Sequence, residues 1–379
     1  RAQAPLLAVN FTPRVDHLMN LNTKQFMIRS YKILLLFLLP FLTATNSDGQ
    51  QITDYASKID SLIQAKYPRS FNGIIWITKR GKTKYLKTHG YSNIENKTPF
   101  TLKDNFRIQS NSKQIAAVLI LKEVEKGKID LHAPIRKYLP DFKQHWADTV
   151  TVHQLLNNSS GIVDFTKPLS FQPGTDYFYS NPGYGLLRPI LENVTGKTFI
   201  EAANSLFKEL KMMNSYCYEI DKLNTGLVPG YSVTKDSANL FNFKNLNYSI
   251  ESWANFIPAG GMISNAMDLN TWDQKLHKGK ILKSATYKLM MAYEITARHE
   301  SFGNEKIGYG YGIRISDKTP VTYLGHSGKG LGFMSLKLYI PSKDIIIIVL
   351  QNYYDTDSKL HYYYESNIRE IVINSGLAK

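Results

Sequence analysis

The stretch Phe106-Arg107-Ile108-Gln109-Ser110-Asn111-Ser112-Lys113, followed closely by the apolar run from Ile115 to Leu121, decides how this chain is read. Ser110 and Lys113 stand three apart, and on a helix residues at that spacing share a face, so the amine lies beside the hydroxyl. Burial favours the neutral amine, and a neutral amine can take the hydroxyl proton. The run after Lys113 is apolar on nearly every side, which predicts a central, buried helix. A buried helix start suits a nucleophile whose product state is negatively charged. The same Ser-x-x-Lys spacing recurs at Ser205/Lys208 and Ser232/Lys235. Ser205 lies in an amphipathic segment with Leu206 and Phe207, and Ser232 follows the loop Pro229-Gly230-Tyr231. Both read as ordinary surface serines.

Around this centre the periodicity changes. Ile52, Tyr55, Ile59, Leu62 and Ile63 recur at helical spacing and predict an amphipathic helix over 52–66. Residues 71–80 are rich in Ile and Trp and run into Gly81-Lys82, the pattern of a strand and hairpin turn. Late in the chain Leu336, Leu338 and Ile340 alternate with Lys337 and Tyr339, and Pro341 to Asp344 make a turn. The apolar run from Ile345 to Leu350 is then a strand covered on both faces. A last amphipathic helix fits residues 357–373. Between these ends, helical segments alternate with loops such as Gln172-Pro173-Gly174 and Pro258-Ala259-Gly260-Gly261. Together they predict an α+β fold: one mostly antiparallel sheet flanked by helices, drawn from about 51–108 and 305–379, with an inserted mainly helical region over about 110–300.

Composition narrows the function classes. Of 379 residues, 43% are hydrophobic and 20% charged, which excludes a disordered, collagen-like or coiled-coil chain. The single cysteine, Cys217, excludes an intramolecular disulfide and a cysteine-built zinc cage. The chain has neither a His-Glu-x-x-His nor a Gly-x-Ser-x-Gly motif, so a zinc hydrolase and an α/β-hydrolase are disfavoured. A net charge of +15 favours loose contact with anionic cell-envelope polymers. The lysines are scattered with no aromatic-basic stripe, so nucleic acid is not an expected partner. Met27-Ile28-Arg29-Ser30-Tyr31-Lys32, the apolar run to Leu42 and then Thr43-Ala44 have the layout of a secretory signal. Residues 1–26 are accordingly set apart as an upstream segment, 27–50 as signal peptide and linker, and 51–379 as the folded domain. That layout predicts an exported protein, periplasmic or secreted.

Two further candidates carry chemistry. In Tyr179-Ser180-Asn181 a phenol and a carboxamide two residues apart on a loop can enter one cleft, one exchanging protons and the other holding an amide. Tyr91-Ser92-Asn93 has the same letters. His326-Ser327-Gly328 stands just before the strand pair, where glycine lets a ligand approach a strand edge. Its counterpart is His277-Lys278-Gly279.

Taken in order, these segments resemble the serine β-lactamase and penicillin-binding protein superfamily, in the class C β-lactamase-related branch. That branch includes D-Ala-D-Ala carboxypeptidases, D-aminopeptidases and esterases. FRIQSNSK resembles its nucleophile segment, and Asp130-Leu131 through Tyr138-Leu139-Pro140 resembles its D-L-x-x-P-x-x-x-Y-L-P stretch. Residues 155–162 resemble the L-L-x-H-T-S-G loop, 258–269 the P-A-G-G-x-x-S segment, and 325–333 the G-H-x-G segment. The resemblance implies acyl transfer in two steps, with no metal or organic cofactor. Ser110 would be the nucleophile, Lys113 would take its proton, and Tyr179 would pass a proton to the leaving group. Which of Lys113 and Tyr179 is the main base stays open. Asn181 would orient the substrate amide, His326, Ser327 and Gly328 would line the substrate strand, and the backbone N–H groups of Ser110 and Lys329 would form the oxyanion hole. The implied substrate is an ester, a D-amino-acid peptide or a β-lactam.

One departure bears on substrate. Many relatives carry Lys-Thr-Gly where this chain has His326-Ser327-Gly328, and an unperturbed imidazole is mostly neutral at pH 7. It grips a carboxylate less well than a lysine does. That tilts the expectation from a true class C-like β-lactamase toward an esterase or D-amino-acid peptidase, with Lys329 or an arginine of the middle region left to restore the charge. A non-catalytic relative that binds cell-wall peptide is the remaining alternative.

Overall fold

In a computed structural model the chain is described over residues 46–234 and 237–379, with side chains from residue 54 onward. The upstream and signal readings therefore fall largely outside the described residues. Contacts divide the chain after Gln50, and the unit Gln51–Lys379 holds the sheet and every candidate site residue.

The centre is one eight-stranded sheet. Its strands are β1 (Gly73–Lys79), β2 (Lys82–His89), β3 (Thr296–Ala297), β4 (Ile307–Tyr309), β5 (Arg314–Ser316), β6 (Tyr323–Gly330), β7 (Phe333–Ile340) and β8 (Ile345–Gln351). They lie in the order β3-β4-β5-β6-β7-β8-β1-β2, every pair antiparallel. The β1–β8 pairing, with Ile75 opposite Val349, closes the two ends of the chain into one layer. At the β1–β2 hairpin, Arg80 and Gly81 both take positive φ (52° and 73°), the two-residue turn whose twist matches the strands.

Both faces of the sheet are covered. On the outer face Ile75, Ile77, Leu336, Leu338 and Ile347 pack with helix α1 (Asn46–Gln64) and the C-terminal helix. On the inner face Tyr339, Ile346, Ile348 and Leu350 join the larger core around α2 (Ser112–Glu125), the buried central helix. Three further helices matter to the site: α3 (Asn181–Gly185), α4 (Ile250–Gly260) and α5 (Ala266–His277). The C-terminal helix, α6 (Tyr363–Ile373), begins later than the periodicity predicts, because Tyr362 takes φ 58° and breaks the run from Asp357.

The two-residue alternation in β7 sorts side chains between two covered faces, not between core and solvent. Lys337 is 2% exposed, and its Nζ donates to Asp273 Oδ1 and to Gln114 Oε1 at 2.7 Å. Gln114 also accepts from Trp272 Nε1 at 2.6 Å, so this network joins α2, α5 and the sheet. His277 is sealed into the same place. It stacks on Tyr339 at 4.3 Å, its Nδ1 lies 2.7 Å from the Tyr287 hydroxyl, and its Nε2 lies 3.6 Å from Asp273. It therefore belongs to the core, not to a second substrate strand.

Two outcomes are expected. Lys337→Met leaves Asp273 buried without its cation and should cost about 3–5 kcal/mol in urea unfolding; a loss near zero would refute the network's role. Burial holds His89, His153, His277, His299 and His326 below the ordinary imidazole value. Below about pH 6.5 the unfolded chain then binds protons that the folded one does not, so stability falls as pH drops through that value. Burial raises the Glu365 and Asp104 carboxyls, which opposes the trend, but two carboxyls against five imidazoles leave the sign unchanged. The melting temperature between pH 8 and pH 5 checks this, and a rise toward acid contradicts it.

Candidate active site

Ser110 sits on a tight turn, not on α2 itself. Gln109–Asn111 form one 3-10 turn immediately ahead of the helix. Gln109 takes φ 49°, a left-handed conformation that a non-glycine residue adopts only when its surroundings hold it there. Those ties are visible: Gln109 Nε2 donates to Gly330 O at 2.9 Å, and Asn111 Nδ2 donates to Ser335 Oγ at 2.9 Å. Ser112 Oγ accepts from Met262 N at 3.2 Å. Gly328 is what lets β6 come so close. A Cβ there would lie 2.5 Å from Ile108 O and 2.7 Å from Gln109 Cβ. The expected oxyanion donors, the Ser110 and Lys329 N–H groups, belong to the two segments that this glycine brings together.

Lys113 is 0% exposed and has no carboxylate partner among the described residues. Its Nζ donates to Asn181 Oδ1 at 2.7 Å and to Ala259 O at 2.7 Å, and lies 3.4 Å from Ser110 Oγ. Burial, aided by the Arg314 charge, holds the amine well below the usual lysine range. A neutral amine has two hydrogens and one lone pair. The two short bonds use both hydrogens, and the lone pair is left for the Ser110 hydroxyl. Ala259 belongs to the Pro258-Ala259-Gly260-Gly261 segment at the end of α4, so that motif holds the lysine through a backbone carbonyl.

Tyr179 and Asn181 are presented by the turn entering α3. Ser180 caps this helix, its Oγ accepting from Gly183 N at 2.8 Å. The Tyr179 hydroxyl faces Ser110, and its ring lies 4.5 Å from Lys113 Nζ. Burial pushes the phenol up, and the Arg314 charge only partly offsets this. Asn158 holds the turn on both sides of Tyr179. Its backbone O accepts from Phe178 N at 2.9 Å, and its Oδ1 accepts from Ser180 N at 3.0 Å. Asn158 is fully buried at φ 60°, and nothing in its sequence setting marked this function.

His326 is buried, and its Nδ1 lies 2.7 Å from Ser327 O. A carbonyl only accepts, so Nδ1 carries the hydrogen and Nε2 accepts from the Tyr309 hydroxyl at 3.1 Å. Burial, aided by the Arg314 charge, holds this imidazole well below its ordinary value, and it is neutral. Ser327, expected to line the substrate strand, accepts from Ser301 Oγ at 2.9 Å and lies near the Tyr362 hydroxyl. As an acceptor there, it keeps its own hydrogen to donate. β5 pairs with β6 only at residues 323–325, so from His326 onward no described strand covers that side of β6.

The buried positive charge nearest His326 that the electrostatics single out is Arg314. This residue lies in the late sheet, not in the middle region, and is 3% exposed. Its guanidinium carbon lies 5.1 Å from the Tyr309 ring and 5.6 Å from the Tyr179 ring. The groups that raise its pKa against burial are tyrosines, its Nε has no partner, and no described carboxylate pairs with it. An arginine between Ile313 and Ile315 in a strand was the available signal. Lys329, the other candidate, is exposed and lies 3.0 Å from His361 Nδ1. Asn158→Ala removes the acceptor that holds Ser180 and keeps a strained φ. It should cost about 1–3 kcal/mol of stability and slow fluorophosphonate labelling of Ser110 at least about tenfold. An unchanged labelling rate would show that Tyr179 does not depend on Asn158.

Comparison with known proteins places this geometry. The family model described as Beta-lactamase matches residues 59–367. Protein flp of Staphylococcus aureus (strain N315) is 25% identical over 346 residues, covering 82% of this chain; the chain spans 64% of that relative's length. The putative penicillin-binding protein PbpX of Bacillus subtilis (strain 168) is 24% identical over 322 residues, 80% of this chain and 74% of that one. Among solved structures, D-amino acid amidase from Ochrobactrum anthropi SV3 superposes with a TM-score of 0.69 at 23% identity, over 86% of this chain and 96% of that one, a likeness of fold. With the family model covering most of its length, the chain belongs to the Beta-lactamase family, the β-lactamase-fold serine hydrolases that include penicillin-binding proteins.

Proposed function

We propose that this protein is an acyl-transfer hydrolase of D-amino-acid peptides that end in a free carboxylate, with Ser110 as nucleophile. The observation that carries this reading is Arg314: a buried guanidinium beside Tyr179 and His326 with no carboxylate to neutralise it. Burying an unpaired charge costs several kcal/mol, and a substrate carboxylate offsets that cost in a way a simple ester does not. The reading therefore favours the peptidase side over the esterase side.

In the mechanism, the Lys113 lone pair takes the Ser110 proton as Oγ attacks the carbonyl. The oxyanion falls to the Ser110 and Lys329 N–H groups, each worth about 3 kcal/mol in such sites. Tyr179, whose phenol burial keeps protonated, gives its proton to the leaving amine and regains one from Lys113. The proton lost by Ser110 thus ends on the leaving nitrogen. Water then frees the acyl group. Lys113 is the base in this scheme because its shift is downward, whereas that of Tyr179 is upward. A location outside the cytoplasm, read from residues 27–44, fits a cell-wall peptide as substrate. Arg314 would also hold a β-lactam carboxylate, so penicillin is a fitting probe.

Ser110→Ala should abolish hydrolysis with folding intact. Intact-mass spectrometry after brief exposure to a penicillin should show a penicilloyl adduct at Ser110; turnover as fast in Ser110→Ala as in the parent would refute the nucleophile. A persistent adduct marks a penicillin-binding peptidase, and rapid clearance with ring-opened drug marks a β-lactamase. Arg314→Gln should raise KM for peptides with a free terminal carboxylate about tenfold or more relative to the matching amides. An equal effect on acids and amides would defeat the carboxylate assignment.

A further inference from the structure

Past the Gly330 end of β6 lies a groove of about 1110 Å3, walled by Tyr218, Phe243, Tyr248, Leu331 and Phe333, with Arg107 in its lining. Arg107 stands three residues before Ser110, which keeps the two Cα atoms within about 11 Å. It is 5% exposed. Its guanidinium carbon lies 3.8 Å from the Tyr218 ring centroid, 4.4 Å from Phe243 and 5.7 Å from Trp253. The groups that favour its charge are Tyr218 and Tyr216, and no described carboxylate pairs with it. Cation–π contacts supply about 0.5–2 kcal/mol, whereas burying a cation costs several. The cage leaves a deficit that an anion would close.

The strand edge gives the direction in which a substrate would meet this groove. Arg314 is paired in register with Gly325 at one end of the open edge, and Leu331 and Phe333 border the groove at the other. Between them Gly328 touches the Ser110 turn. The edge from His326 to Gly330 spans roughly 16 Å in extended form, enough for a short peptide. A peptide laid there with its terminal carboxylate at Arg314 puts its acyl portion in the groove, with the scissile carbonyl at Ser110 between them.

We propose that the groove is an acyl-side subsite for a peptide segment that carries a second carboxylate, received by Arg107 against the aromatic walls. The direction of the substrate rests on the peptidase reading above; the anion preference of the groove does not. A substrate of this class is anionic at both ends, with the reacting carbonyl between two buried arginines.

The test uses full-length protein carrying Ser110→Ala, so that binding is read without turnover. Calorimetry compares two peptides identical except that the acyl-side carboxylate of one is a carboxamide in the other. The acid should bind about tenfold tighter, and added salt should shrink the difference. Arg107→Gln should erase the preference and Arg107→Lys should keep part of it, a ratio that a purely stacking role for Arg107 would not move. Equal binding of the two peptides to the Ser110→Ala protein, or a preference that survives Arg107→Gln, overturns the subsite. Absence of Ser110-dependent hydrolysis in the parent would instead remove the peptidase reading, and the binding ratio would still decide the groove.

Discussion

Lys113 has nowhere to put a charge, and the cleft is organised around that constraint. The side chain is fully buried, its neighbours are a carboxamide, a backbone carbonyl and a serine hydroxyl, and Arg314 adds positive potential. In such surroundings the ammonium form is the costly one. Four segments distant in sequence must meet to build that environment: the Ser110 turn, Ala259 at the end of α4, Asn181 at the start of α3, and the β6 edge. Each is tied by bonds that also fix something else. Ser112 accepts from Met262, just beyond the two glycines after Ala259, and Asn158 brackets the tyrosine whose ring faces the amine. Holding Lys113 neutral and holding Ser110 in place are one structural task.

The rest of the cleft is short of negative charge. Arg314, Arg107 and Lys113 are all buried, and none has a carboxylate partner among the described residues. Their surroundings are mostly aromatic: Tyr179 and Tyr309 near Arg314, Tyr218, Phe243 and Trp253 near Arg107. Aromatic faces stabilise a cation without discharging it, so the site keeps positive potential at low dielectric. The same potential helps keep His326 neutral, which explains how a histidine can stand where many relatives have lysine without leaving the site uncharged. The buried cation beside His326 stands on β5, the strand paired with β6.

Local pattern carried much of the reading. Periodicity located the buried helix after Lys113, the β1–β2 hairpin and the β7–β8 pair, and the spacing of Ser110 and Lys113 put the two side chains side by side. Where the reading fell short, a long-range contact was responsible. Lys337 looked like the polar half of an alternating strand, yet α5 covers that face and supplies Asp273. Asn158 lies in a segment read only as a family-like loop, yet its side chain holds the Tyr179 turn. Ser327 was placed by its motif alone, and the contact with Ser301, distant in sequence, is added only by the fold.

The sequence by itself determined the family and the fold class and brought Ser110 and Lys113 to one turn, because those depend on patterns written within a few turns or strands. Only the tertiary structure decided the electrostatics. Which amine is neutral, which imidazole nitrogen carries the hydrogen and which arginines lack an acid are properties of burial and of neighbours brought from elsewhere in the chain. Charge in a folded protein is set by what surrounds a group in space, and residue spacing does not encode that until the chain has closed on itself.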